Sequence, residues 1–208
     1  MIYHTRKPLI LASLSPRRHD YFRDLGLVFR QEGADLDEQV RPDEEPEAYV
    51  KRLARDKGRS VAVRFPDSYV VAADTAVCLD QRILGKPADE DEAVAMLLAL
   101  SGRAHVVRTG FSISCIAANL ELVEEVATEV TFINLSVDLA RAYARTGEPR
   151  DKAGAYGIQG LGAFLVSSLR GSYSNVVGLP LAEIVQKLVQ LAVLAPLNQD
   201  LLVFRQEW

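Results

Sequence analysis

The chain has 208 residues, 49% hydrophobic and 25% charged, with a formal net charge of -4 and a pI near 5.5. That length can bury a sizeable core as one domain or two small lobes. The acidic balance excludes a protein that wraps a nucleic-acid backbone through a general basic surplus. Two cysteines, Cys78 and Cys115, are too few for a disulfide framework, and no Cys and His spacing suggests zinc. The polar start from Met1 to Lys7 and the lack of any run of about 18 apolar residues predict no membrane partner and a cytoplasmic location.

In chain order, Leu9 to Ala12 reads as a buried strand that breaks into a helix start, with Ser15 able to cap and Pro16 suited to the first helical position. This helix should run to Leu25 and stop at Gly26. A second strand is expected at Val28 to Gln31, then an acidic loop from Ala34 to Glu45. From Pro46 the apolar spacing of Tyr49, Val50, Leu53, Ala54 and Val61 is helical. Tyr69 to Leu79 is an apolar, β-branched strand interrupted by Asp74 and Thr75, with a turn at Asp80 and Gln81. Asp89 to Leu100 is a helix with acidic residues in its first turn, where the macrodipole favours them. Val106 to Ile116 and Val123 to Ile133 read as a pair of long strands. Ser136 caps a helix that ends before Gly147, and a glycine-rich segment from Gly154 to Gly162 precedes a strand at Ala163 to Leu169. Pro180 to Leu194 is the last helix, and residues 196–208 carry no strong pattern. Strands and helices do not alternate strictly, so an α/β fold with a mixed sheet flanked by helices is expected. There is neither a dinucleotide glycine fingerprint nor a P-loop.

Five segments carry chemistry. Ser13-Leu14-Ser15-Pro16-Arg17-Arg18 joins two hydroxyls and two guanidinium groups to a helix N-terminus, a natural anion site; it is equally a capped surface helix with solvated arginines. Asp74 is a carboxylate in an apolar strand, costly unless a charge, hydrogen bond or metal compensates. A metal ligand or general base fits, and so does a structural Asp bonded to backbone amides. Gly85-Lys86-Pro87 offers a phosphate contact or a turn lysine in water. Asp35, Asp37 and Glu38, with Lys57 further on, could serve Mg2+, or form a solvated acidic loop with a surface lysine. Asp151-Lys152-Ala153-Gly154-Ala155-Tyr156-Gly157-Ile158-Gln159-Gly160 permits close backbone approach, and Gln159 can read a base edge; a structural glycine turn is the other reading. His4, His19 and His105 suggest no triad or metal cluster.

Together these segments, with Leu100-Ser101-Gly102-Arg103-Ala104-His105, Gly171-Ser172-Tyr173 and Val177-Gly178-Leu179-Pro180, resemble the Maf family in content and order over roughly residues 8 to 192. The resemblance implies a single domain over 1–195 with a tail at 196–208. It also implies an elongated two-lobed α/β fold with a central cleft, akin to the inosine triphosphatase (Maf/Ham1) architecture. The implied activity is a divalent-metal-dependent (Mg2+ or Mn2+) nucleoside triphosphate pyrophosphatase that releases a monophosphate and pyrophosphate. A homodimer and a link to cell-division arrest also go with the family. The pyrimidine-type members match this chain at Arg17, Thr75 and Gln159, so dTTP and UTP are the implied substrates; 7-methyl-GTP or broader purine use, a transferase, and a non-catalytic nucleotide sensor are the alternatives. On this reading Asp74 is the base and a metal ligand, Glu38 a further ligand, and Lys86 catalytic. Ser13, Ser15, Arg17, Arg18, Lys57 and Lys152 bind the substrate, while Arg17, Thr75 and Gln159 select the base. One departure is Gly58, where alanine is expected after Lys57; helix propensity puts its cost at about 1 kcal/mol.

Overall fold

The structure, a computed structural model, describes residues 2–34 and 36–197. Asp35 of the acidic loop and the tail from 198 onward lie outside the described residues. The centre is β4 (Tyr69–Leu79), an apolar run buried on both faces. On one edge its first half pairs in parallel with β2 (Leu9–Ala12), which is itself parallel to β3 (Arg30–Glu32). Its second half pairs on that same edge with the short antiparallel strand β5 (Arg82–Leu84). The other edge carries an antiparallel meander of β6 (Ala104–Cys115), β7 (Leu120–Phe132) and β8 (Val166–Arg170). The sheet order is β3-β2-β4-β6-β7-β8, with β5 set beside β4. It is a mixed sheet flanked by helices, as the irregular alternation of elements predicts.

Strand periodicity sorts the helices. Val70, Ala72, Ala76 and Cys78 of β4 face α2 (Pro46–Ala62), where Val50, Val61 and Ala62 pack on them. The alternate residues divide between two apolar clusters on the opposite face. Val71 and Ala73 join α1 (Pro16–Asp24) and α6 (Leu181–Gln190) through Phe22, Ile184 and Leu188. Val77 and Leu79 join α3 (Glu90–Leu100) and α4 (Val137–Arg145) through Leu97, Leu100 and Ala140. Between the clusters runs a polar seam: Thr75 against Thr109 on β6 at 2.9 Å, then the buried Asn175, which donates to Thr128 at 2.9 Å. Asn175 belongs to the short helix α5 (Tyr173–Val177) laid over this seam.

Several expected boundaries move. The second strand lies at Arg30–Glu32, because Val28 is exposed and its amide instead bonds the Thr5 hydroxyl. The strand expected from Ala163 begins at Val166, after a 3-10 turn over Gly160–Leu165. The last helix ends at Gln190: Ala192 takes a φ of 52° and turns the chain back. Leu194–Pro196 can then pair as β9 with the N-terminal strand β1 (Tyr3–Thr5). Propensity favours helix there, but the tertiary pairing overrides it. Strands β1 and β5 and helix α5 have no clear sequence pattern, being too short for periodicity to show.

Candidate active site

Where β2 stops pairing with β4 and β5 has not yet begun, the middle of β4 has no neighbour on that edge. Ligands in α/β sheets settle in such places, beyond the carboxyl ends of parallel strands where the connections diverge. Here the gap opens into a cleft of about 630 Å3. Eleven of the sequence-predicted site residues line it: Ser13, Ser15, Arg17, Arg18, Glu38, Lys57, Asp74, Thr75, Lys86, Lys152 and Gln159. Asp37 does not, and accepts instead from the Gln39 amide at 3.0 Å in the exposed acidic loop.

Asp74 and Thr75 are successive residues of one strand, so they project to opposite faces. Asp74, 7% exposed, faces α2 and meets Lys57, whose ammonium donates to Asp74 Oδ1 at 2.6 Å. The same ammonium pairs with Glu38 Oε1 at 2.6 Å. Burial alone would raise the Glu38 pKa, but the hydrogen bond and charge of Lys57, with Lys86 and Arg18 behind it, hold it below the usual carboxylate range. Lys57 is 9% exposed and lies in the buried stripe of α2 with Val50, Leu53, Ala54 and Val61. It is therefore not a surface lysine, and the 3.6-residue spacing already places it on the apolar face. Tyr49 donates its hydroxyl to the Glu38 carbonyl at 3.0 Å; burial, and then the Asp74 and Glu38 charges, push its pKa up to about 12. Arg52 grips Glu44 at 2.6 Å and so pins the acidic loop to α2.

On the other face Arg18 is knitted into the wall. It donates to Gly178 O at 2.6 Å, Ala73 O at 2.8 Å and the Thr75 hydroxyl at 3.0 Å. These donors are occupied by the protein, so Arg18 braces Thr75 and leaves Arg17 as the outward guanidinium of the pair. Ser13 accepts from the Ser15 amide at 3.2 Å. Ser15 sits at the cap position of α1, but its side chain makes no capping hydrogen bond. The cap expected there is one of backbone only, and the first amides of the helix keep no intrahelical acceptor.

The far wall is built by the β5–α3 loop and residues 151–159. Gly154 N donates to Gly85 O at 2.9 Å and ties the two together. Lys86 is exposed on this wall, and Gln159 lies exposed at the rim. Lys152 folds back on its own turn, donating to Glu148 O at 2.6 Å and Asp151 Oδ1 at 2.7 Å. Asp151 also accepts from Arg17 across the mouth of the cleft at 3.3 Å. Beneath this wall His105 is buried, its Nε2 2.8 Å from the Tyr156 hydroxyl. Burial lowers its pKa to about 4, so the ring is neutral near pH 7. His105 is a packing residue under the loop.

The acidic pair is a fitting place for a divalent cation. Two carboxylates converge on one cationic atom, and Mg2+ is commonly held by one or two carboxylates with substrate phosphates completing its shell. Among the described residues no group of three His, Cys, Asp or Glu side chains could hold a metal alone. Such an ion would complete its shell with water and with oxygens brought by the substrate.

The family model described as "Maf-like protein" matches residues 8–191. A Desulfotalea psychrophila protein named dTTP/UTP pyrophosphatase is 53% identical over 194 residues, covering 93% of this chain and 100% of the relative. Koribacter versatilis and Myxococcus xanthus proteins of the same name are 45% and 52% identical, covering 92% and 85% of this chain and 98% and 89% of their own lengths. Among solved structures, the Staphylococcus aureus Ham1 protein aligns with a TM-score of 0.46 at 15% identity, over 77% of this chain and 80% of that one. The family match spans the same residues whose motifs converge on the cleft, and near-full-length relatives share about half of the sequence: the chain belongs to the Maf family.

Proposed function

We propose that the protein is a nucleoside triphosphate pyrophosphatase that cuts dTTP and UTP between the α- and β-phosphates, releasing the nucleoside monophosphate and pyrophosphate. The observation that carries this reading is the Glu38–Lys57–Asp74 cluster, a buried carboxylate and its cation at the floor of a cleft that also holds a helix N-terminus, Arg17 and Lys86. The shared name of the relatives supports the substrate.

In this reading Asp74 accepts the proton of a water that attacks the α-phosphorus. Lys57 holds that carboxylate in place. The α1 amides, with Ser13 and Ser15, receive phosphate oxygens, while Arg17 and Lys86 stabilise the charge that grows on the departing pyrophosphate. Positioning and charge stabilisation of this kind do most of the work in phosphoryl chemistry. Glu38 and Asp74 would hold Mg2+ or Mn2+, which when bound supplies further positive charge to the phosphate oxygens. Thr75 and Gln159, with Arg17, select the base. The two cysteines are both free and buried, in keeping with a reducing, cytoplasmic setting.

Asp74→Asn should lower kcat by about 100- to 10,000-fold, the range for loss of a general base, while the fold survives because Glu38 still pairs with the Lys57 ammonium. Equal turnover would remove Asp74 from the role. Release of orthophosphate and a diphosphate, in place of pyrophosphate and a monophosphate, would show that a different phosphorus is attacked.

A further inference from the structure

Gln159 is the residue of the far wall with both a donor and an acceptor suited to a base edge, yet it sits in a glycine-rich turn with no regular structure of its own. The groups on either side of it converge on one hydrogen-bonded Glu–Tyr pair. Glu148 Oε1 accepts from Gly162 N at 2.9 Å and from the Tyr143 hydroxyl at 2.9 Å. Glu148 Oε2 accepts from Leu161 N at 2.9 Å. The Tyr143 oxygen in turn accepts from Gly157 N at 3.2 Å. The backbone before and after Gln159 is thereby clamped on a single Glu–Tyr pair anchored at the end of α4.

The fit leaves little room. Gly160 has a φ of 71°, and a Cβ there would lie 2.8 Å from Glu148 Oε2. A Cβ on Gly162 would lie 2.4 Å from the Tyr143 hydroxyl oxygen. Burial would raise the Glu148 pKa, but the amides of Leu161 and Gly162, the Tyr143 hydroxyl and Lys152 outweigh it and hold the group anionic. An anionic carboxylate can accept all three hydrogen bonds; a glutamine amide has one acceptor oxygen and would set its NH2 against a backbone N–H.

We infer that Glu148 is a positioning residue for base selection: with Tyr143 it holds the 157–162 turn so that Gln159 presents a fixed edge to the base. This rests on the reading that Gln159 takes part in base choice.

The test measures kcat/KM for UTP and GTP, together with inhibition by pyrophosphate, which has no base, in Glu148→Gln, Gln159→Ala and the double variant. The expected result is a UTP to GTP preference that falls about tenfold in Glu148→Gln, the scale of one lost hydrogen-bonding contact. Pyrophosphate inhibition should stay unchanged, and the double variant should show no further fall beyond Gln159→Ala. If Gln159→Ala lowers the preference and Glu148→Gln does not, the positioning role is overturned and the base reading survives. If Gln159→Ala leaves the preference intact, the base reading fails and takes this inference with it. Tyr143→Phe, which deletes a donor to Glu148 and the acceptor of Gly157 N, gives an independent check should Glu148→Gln fold poorly. It should move the preference the same way, and an unchanged preference overturns the role.

Discussion

Replacing Lys57 by methionine keeps the aliphatic stem in the α2 stripe and removes only the ammonium between Asp74 and Glu38. The Lys57 and Asp74 side chains are 11% and 10% exposed, whereas Glu38 is 49% exposed. Breaking a buried pair by deleting one partner costs about 3–5 kcal/mol, because the remaining charge is left uncompensated. The cleft admits water, so the lower end, about 3 kcal/mol, applies to Asp74, and the half-exposed Glu38 adds little. For a chain of this size each kcal/mol moves the melting temperature by about 2–4 °C, giving a fall of roughly 6–12 °C in EDTA. Mg2+ should then restore more stability to Lys57→Met than it adds to the parent protein, because it no longer competes with an internal cation; at a hundredfold excess over Kd, binding contributes about 2.7 kcal/mol. Thermal melts of both proteins with EDTA and with Mg2+ make the comparison. Adding Asp74→Asn to Lys57→Met should recover much of the loss by removing the orphaned charge. A Lys57→Met melt within a degree or two of the parent in EDTA, or no recovery in the double variant, would refute the ion-pair account.

Gly58→Ala separates helix propensity from packing. Propensity alone predicts a gain of about 1 kcal/mol, but a Cβ at 58 would stand 2.5 Å from the Ser112 hydroxyl on β6. A net loss of about 1–2 kcal/mol is therefore expected in urea unfolding, relieved when Ser112→Ala is added; a stabilised single variant would contradict this. The buried His105 sets a pH dependence. Its folded pKa near 4 lies below the unfolded value near 6.5, so the unfolded chain binds the proton first, and stability falls as pH drops from 6.5 through 4, by about 3 kcal/mol. In His105→Phe that part of the slope should vanish; an identical slope in denaturant titrations across this range would assign it to other groups. Finally, Gln159→Glu should change the ratio of kcat/KM for UTP and GTP, and an unchanged ratio would remove Gln159 from base recognition.

Much of the site is legible in the sequence because its chemistry is unusual for its surroundings. A carboxylate in the run from Tyr69 to Leu79 demands a compensating group, and Lys57, at helical spacing from Val50, Leu53, Ala54 and Val61, falls on the same buried face. Read as a lone helix residue it resembles a surface lysine; read within its stripe it belongs to the core. Glu148 has no such signal, since a glutamate beside proline in a turn looks solvated. The Gly58 departure likewise looks like a matter of helix propensity until Ser112 is seen across from it.

Local pattern alone determined the strand that carries Asp74, the helix starts at Pro16, Pro46 and Ser136, and the residues able to handle phosphate, because periodicity, capping and charge act over a few residues. The tertiary structure decided that β2 and β5 share one edge of β4 and leave a gap at Asp74. It also decided that Arg18 braces the wall while Arg17 faces out, and that Ala192 turns the chain so that β9 pairs with β1. Those outcomes depend on contacts between residues far apart in the chain, and no short window of sequence contains both partners.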